Sequence, residues 1–190
     1  GMIIFTILTL LIKEDAPVYV ACIGLFVIVG KKKYRNGAVI FVTSVVYFLV
    51  VTYFMGKYGL GIMDSRFTNY MADASKGGLI DVIRNFITNP AYVVEECFKP
   101  EKLSFMFYMI FPLGFLPLAS KKVSGLILFI PVILENLASN YKYQYSINFQ
   151  YVFGTVAILT YLAIVNYSEL AEKTRRFMAG FAICMGIILL

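Results

Sequence analysis

No histidine occurs anywhere in the 190 residues, which removes imidazole acid–base chemistry and His-ligated zinc from this chain. Any metal is left to carboxylates. Tryptophan is absent too, so the interfacial aromatic role falls to tyrosine. Tyr19, Tyr53, Tyr58, Tyr108, Tyr141, Tyr151 and Tyr167 lie near the ends or flanks of apolar runs, where most are expected to be anchors. The three cysteines, Cys22, Cys97 and Cys184, have no metal-ligand or redox spacing. Charge is scarce at 15% of residues, and the charges cluster between long uncharged runs instead of scattering as on a soluble surface.

What is present is apolar: 60% of the chain. The uncharged runs are Met2–Ile12, Ala16–Gly30, Gly37–Gly56, Leu103–Ser120, Val123–Ser139, Phe149–Tyr167 and Phe177–Leu190. A hydrocarbon core about 30 Å thick needs roughly 20 helical residues. Backbone groups in lipid must pair internally, and these runs are too continuously apolar for alternating barrel strands. The expected fold is all-α, a polytopic transmembrane helical bundle with five full spans between two partial ones. The short runs at either end point to a fragment truncated at both ends, and no basic region precedes the first run as a signal peptide requires.

Basic residues set the expected orientation. Loops 31–36, 121–122 and 168–176 hold Lys31, Lys32, Lys33, Arg35, Lys121, Lys122, Lys173, Arg175 and Arg176 against Glu169 and Glu172. The alternate loops are charge-balanced. This places the basic loops in the cytoplasm and the chain, multi-pass, in the plasma (inner) membrane. The net charge of +6 therefore reflects one membrane face and implies no nucleic acid.

Residues 57–102 are too long for a plain connector. Leu79, Ile80, Val82, Ile83, Phe86 and Ile87 recur at helical spacing opposite Asp81, Arg84 and Asn85, after a break at Gly77–Gly78 and up to Asn89–Pro90. Tyr92, Val93, Val94 and Phe98 resume the pattern. Two amphipathic extracytoplasmic helices are expected, either packed as a cap or shaping a substrate groove.

Three outer polar clusters are candidates for function. Lys13–Glu14–Asp15 interrupts apolar sequence and holds two adjacent carboxylates, a pair that suits a divalent cation, a sugar hydroxyl, or acid and base roles. Glu135–Asn136 places an ionisable residue in an apolar run, and such residues usually face a partner or a cavity. The stretch from Asn140 to Tyr151 mixes Lys142, Gln144, Asn148 and Gln150 with four tyrosines, as a carbohydrate or phosphate headgroup would require, and as an ordinary interfacial loop also does. Pro112, Gly114, Pro117 and Pro131 break two of the spans, freeing carbonyls that neighbours or cavity water must re-satisfy.

The order Lys13–Glu14–Asp15, Gly24, Lys31 to Arg35 with Gly37, and Tyr53–Phe54 resembles a bacterial membrane family known as domain of unknown function two thousand and seventy-nine. Arg66 to Tyr70, the stretch Phe111 to Leu118, Pro131 with Glu135–Asn136–Leu137, and Gln150–Tyr151 are similar as well, so the likeness runs across about residues 8 to 165. That family is grouped with the GT-C glycosyltransferases, polytopic enzymes that move a sugar from a polyprenyl-phosphate carrier on the outer face. The resemblance implies a GT-C-like fold whose usual catalytic acid, in the first outer loop, precedes Gly1. It carries over Lys13, Glu14, Asp15, Arg66, Gln150 and Tyr151 as motif positions. Glu14 and Asp15 are then candidate catalytic residues, with a metal or an acceptor hydroxyl as their target. Lys13, Arg66, Glu135, Asn136, Gln144, Gln150 and Tyr151 are candidates for binding substrate. Arg66 offers a fork of donors to carrier phosphate, with Asp64 or Asp73 as alternative partners. The competing reading is a transporter or flippase for a lipid-linked or small polar substrate, with Glu135 and the broken spans lining the path. A pure scaffold is a third.

Overall fold

The computed structural model describes residues 1–58, 64–71, 78–120 and 122–188. Gly77, Asp73, Lys121 and residues 189–190 lie outside the described residues, and so does the side chain of Asp64. Every regular element among the described residues is helical: α1 (Met2–Leu10), α2 (Ala16–Val29), α3 (Tyr34–Lys57), α4 (Leu79–Thr88), α5 (Pro90–Cys97), α6 (Pro100–Ile110), α7 (Ile130–Val132), α8 (Phe153–Ser168) and α9 (Glu172–Ile188).

Helices α2 and α3 form a hairpin packed along its length. Its reversal at Lys31–Lys33 uses a left-handed Lys32 (φ 54°). Two glycines permit the close approach: a Cβ on Gly24 would lie 2.8 Å from the backbone nitrogen of Phe41, and one on Gly37 would lie 2.7 Å from the Gly24 carbonyl oxygen. Small residues let helices meet backbone to backbone where lipid offers no hydrophobic drive between them.

Two of the expected spans are not continuous helices. The run Leu103–Ser120 begins in α6 and tightens into a 3-10 turn at Phe111–Leu113. There Gly114 (φ 60°) and Phe115 (φ 57°) both turn left-handed. The Gly114 amide donates to Phe111 and the Phe115 amide to Ile110, the Schellman pattern that ends a helix. A second 3-10 turn follows at Leu116–Leu118. The carbonyls it frees are not orphaned, because the Asn166 amide on α8 donates to Leu116 O at 2.7 Å and Pro117 O at 3.4 Å. The run Val123–Ser139 is likewise irregular: a 3-10 stretch Val123–Phe129, the single turn α7 containing Pro131, and a π turn Ile133–Leu137. Tyr34–Lys57 and Gln150–Ser168 are long and apolar enough to cross a membrane, and Ala16–Val29 and Val123–Leu137 are apolar but shorter.

Many large apolar side chains are exposed, and several polar ones are buried beside an apolar core that includes Leu128, Val132 and Leu159. Ile4, Ile12, Val29, Leu49, Phe153 and Ile164 are exposed, while Arg66, Lys102, Gln144, Asn136 and Thr155 are fully buried. Soluble surfaces scatter single apolar residues but rarely expose so many large ones.

The expected pair of short helices is present. Asp81 accepts the Gly78 amide at the start of α4, and Asn89–Pro90 ends that helix and opens α5, with proline in its first turn. The apolar side of α4 divides. Val82 and Phe86 pack on Tyr70 with Cys97 and Ala138, whereas Ile80, Ile83 and Ile87 stay exposed. Tyr70 anchors this cap: its ring meets Phe86 at 4.8 Å and Tyr92 at 5.6 Å edge to face, contacts worth about 0.5–1.5 kcal/mol each. Its hydroxyl donates to Ala138 O at 3.0 Å.

Candidate functional site

The turn between α1 and α2 presents Lys13, Glu14 and Asp15. Asp15 precedes α2 but does not cap it; its carboxylate pairs with the Lys13 ammonium instead. Arg66, 1% exposed, enters from the 3-10 turn Asp64–Arg66. Its Nη2 meets Glu14 Oε1 at 2.7 Å and its Nη1 lies 3.7 Å from Asp15 Oδ2. The Arg66 carbonyl is fixed from the other side by the Ser139 hydroxyl at 3.1 Å and the Asn140 amide at 2.9 Å. Thus Arg66 takes partners 51 and 52 positions away in sequence. Arg66 Nε and Nη1 nevertheless lack hydrogen-bond acceptors.

Tyr151 completes the cluster. Lys13 Nζ sits 4.1 Å and the Arg66 guanidinium carbon 5.1 Å from its ring centroid, and Tyr141 abuts it edge on at 5.7 Å. Cations over an aromatic face gain about 0.5–2 kcal/mol, more as water is excluded. Glu135, on the π turn and 3% exposed, is near enough to feel the charges of Asp15, Arg66, Lys13 and Glu14. Its Oε2 has no hydrogen-bond partner. π turns re-aim side chains and recur at functional sites.

Asn136 and Gln144 lie behind this face. Asn136 Oδ1 accepts the hydroxyls of Tyr19 at 3.2 Å and Thr155 at 2.5 Å, while its Nδ2 donates to Gln144 O at 2.5 Å. One amide thereby ties the π turn to α2, to the Lys142–Tyr145 turn and to α8. Gln144 joins through its backbone; its buried side-chain amide has no partner at either end.

A cavity of about 240 Å³ opens on the cluster. Lys13, Asp15, Tyr19, Gln150 and Tyr151 line its polar end, and Thr9, Ile12, Ala16 and Phe153 its apolar wall. The arrangement can grip an anion with Lys13, take a proton on Asp15 and offer an aromatic face, beside a track suited to hydrocarbon. For a divalent cation the fit is poorer. Glu14 and Asp15 already neutralise Arg66 and Lys13, so an added ion competes with two fixed cations, and the described residues contain no group of three acidic or thiol ligands.

Two features were not foreseen. Tyr19, expected to be an interfacial anchor, is a buried hydrogen-bonding partner of the site. Gly154 makes room for it, since a Cβ there would lie 2.6 Å from the Tyr19 ring. A second buried charge cluster lies under the cap. Glu96 pairs with Lys99 at 2.5 Å and lies 3.9 Å from Lys102, and it accepts Asn69 Nδ2 at 2.9 Å. Burial disfavours the Glu96 carboxylate, but Lys99 and Lys102 outweigh it and hold its pKa below the ordinary value. Burial pulls the Lys102 ammonium down, and its Nζ has no hydrogen-bond acceptor though it lies 5.3 Å from the Tyr145 ring centroid. Tyr53, Tyr58 and Tyr108 are exposed.

The family described as "Predicted membrane protein (DUF2079)" matches residues 1–190. The chain belongs to that family. Its description agrees with the many exposed apolar side chains and with two helices of membrane-crossing length. No curated protein and no solved structure matches the chain. Within this membrane-protein family, the cluster at Lys13, Glu14, Asp15, Arg66 and Tyr151 is the feature of this chain that most needs a chemical explanation.

Proposed function

We propose that this chain is a GT-C-type glycosyltransferase, a polytopic membrane enzyme that takes a sugar from a polyprenyl-phosphate carrier on the outer face of the plasma (inner) membrane. The observation that carries this reading is the cavity in which Lys13, Asp15 and Tyr151 share a wall with Ile12 and Phe153. A lipid-linked sugar has the same three parts in series: hydrocarbon, phosphate and sugar. The prenyl chain lies along the apolar wall, Lys13 holds the phosphate, and Tyr151 stacks on the sugar, with Arg66 behind them fixing Glu14. Asp15, or Glu14 beside it, accepts the proton of the acceptor hydroxyl as its oxygen bonds to the anomeric carbon. The bond from that carbon to the carrier phosphate breaks, and the phosphate leaves with the electron pair. This orientation keeps the basic loops at 31–36, 121–122 and 168–176 in the cytoplasm.

The test is transfer of label from a polyprenyl-phosphate sugar by membranes containing the protein. Asp15→Asn is expected to lower transfer about 100-fold or more, the ordinary scale of losing a general base, while Glu135→Gln retains it. No transfer and no carrier binding would end the enzyme reading. Flux through proteoliposomes that disappears in Glu135→Gln and survives Glu14→Gln with Asp15→Asn would favour a transporter, for which the unpartnered Glu135 oxygen is the supporting feature.

A further inference from the structure

At the end of the bundle that carries the basic loops, a second cavity has the chemistry of a lipid rather than of a sugar donor. A slot of about 380 Å³ runs between α2, the 3-10 stretch Val123–Phe129 and α8, lined by Ile23, Phe26, Val27, Leu128, Ala157 and Tyr161. It ends at Lys31. A smaller polar cavity of about 100 Å³ continues it, sharing Phe26, Lys31 and Tyr161 and adding Ser120, Ser124, Lys122 and Asn166. Glu169 also lines this polar cavity and pairs with Lys122 at 2.8 Å. Among the described residues, the charge left for a ligand is that of Lys31, which has no carboxylate partner there and lies 5.6 Å from the Phe26 ring centroid. Lys32, Lys33 and Arg35 follow directly in sequence and are exposed.

The slot is open on its outer side. Ala157 and Tyr161 are exposed on α8 in line with Phe153 and Ile164, on the apolar surface that a member of a membrane-protein family turns to lipid. We propose that the slot and its polar extension hold one acidic phospholipid of the surrounding bilayer, an acyl chain between Phe26 and Ala157 and the phosphate against Lys31. A neutral slot alone would take any acyl chain. The Lys31 cation, where the slot meets its polar extension, favours an acidic headgroup, the recognition expected of basic pockets between membrane helices. The site is separate from the carboxylate cluster and does not depend on sugar transfer.

Native mass spectrometry of the detergent-purified protein tests it, with dioleoyl phosphatidylglycerol, dioleoyl phosphatidylcholine and inorganic phosphate as probes. The expected result is retention of phosphatidylglycerol, at least ten-fold over phosphatidylcholine. Lys31→Glu and Ala157→Trp should each lower that retention at least five-fold, the first by reversing the charge and the second by filling the slot. Ala157→Leu, a smaller filling of the slot, replaces Ala157→Trp should the latter fail to fold, as judged by far-UV circular dichroism, and Lys31→Gln is the milder charge variant. Equal retention of the two lipids, or unchanged retention in both Lys31 variants, would overturn the proposal. It would also fall if inorganic phosphate displaced phosphatidylglycerol while Ala157→Trp bound it normally, because the site would then be one for a free anion.

Discussion

Replacing Arg66 by methionine keeps much of the side-chain volume and removes the charge on which the carboxylate cluster is organised. Arg66 is 1% exposed and faces Glu14 at 2.7 Å and Asp15 at 3.7 Å. Removing one partner of a buried ion pair costs about 3–5 kcal/mol, because the other is left uncompensated. Here the lower end applies. The Glu14 side chain is 19% exposed and can turn toward water, and Asp15 keeps Lys13. The expected loss for Arg66→Met is therefore about 3 kcal/mol, read from unfolding by SDS titration in detergent micelles with helicity as the signal. Glu14→Gln with Arg66→Met should be less destabilised than the two single changes added together, with a coupling of about 1–3 kcal/mol. Lysine at position 66 should recover less than half of the loss, since a single ammonium cannot span both carboxylates as a guanidinium fork does. A loss within about 0.5 kcal/mol for Arg66→Met, the ordinary range of a surface substitution, would refute the reasoning. So would additive single changes.

Gly24→Ala should loosen the α2–α3 hairpin by about 1–3 kcal/mol, the usual penalty of overpacking; its Cβ would meet the Phe41 backbone at 2.8 Å, and the same titration measures it. Glu96→Gln should destabilise the cap by about 3 kcal/mol by leaving the buried Lys102 ammonium without its counter-charge, read as faster proteolysis between α4 and α6. The pH dependence follows from the sign of the Glu96 shift. Its folded pKa is below the ordinary 4.5, so its stabilisation is complete above that value and is lost as pH falls through the lower folded pKa. Glu96→Gln should flatten that part of an acid-unfolding curve.

Much of this architecture was legible because its signals are local. Asn89–Pro90 marks the junction of α4 and α5, since proline both ends one helix and suits the first turn of the next. Lys13–Glu14–Asp15 stood out as the only charges across two apolar runs, and it forms the centre of the site. The missing parts depend on distant pairings. Nothing local to Arg66 signals Glu14, which lies 52 positions earlier in the chain. Tyr19 reads as an interfacial tyrosine until Gly154, 135 residues later, is seen to leave space for its ring. The break at Gly114 was half visible, because glycine at a helix end is a common stop; the left-handed Phe115 beside it carries no sequence signal. Nothing local to Glu96 or Lys102 signals burial, and only the folding of the cap buries them.

The account depends on the carboxylate end and the basic end facing opposite sides of the membrane, with the carboxylates outside. Single cysteines at Asn36 and Asn148, both exposed, test this directly when Cys22, Cys97 and Cys184 are replaced by alanine. In intact cells a membrane-impermeant maleimide should label Asn148→Cys and leave Asn36→Cys unlabelled until the membrane is permeabilised. Labelling of Asn36→Cys in intact cells, with Asn148→Cys protected, would put the carboxylate cluster on the cytoplasmic side and contradict transfer from an outward-facing carrier.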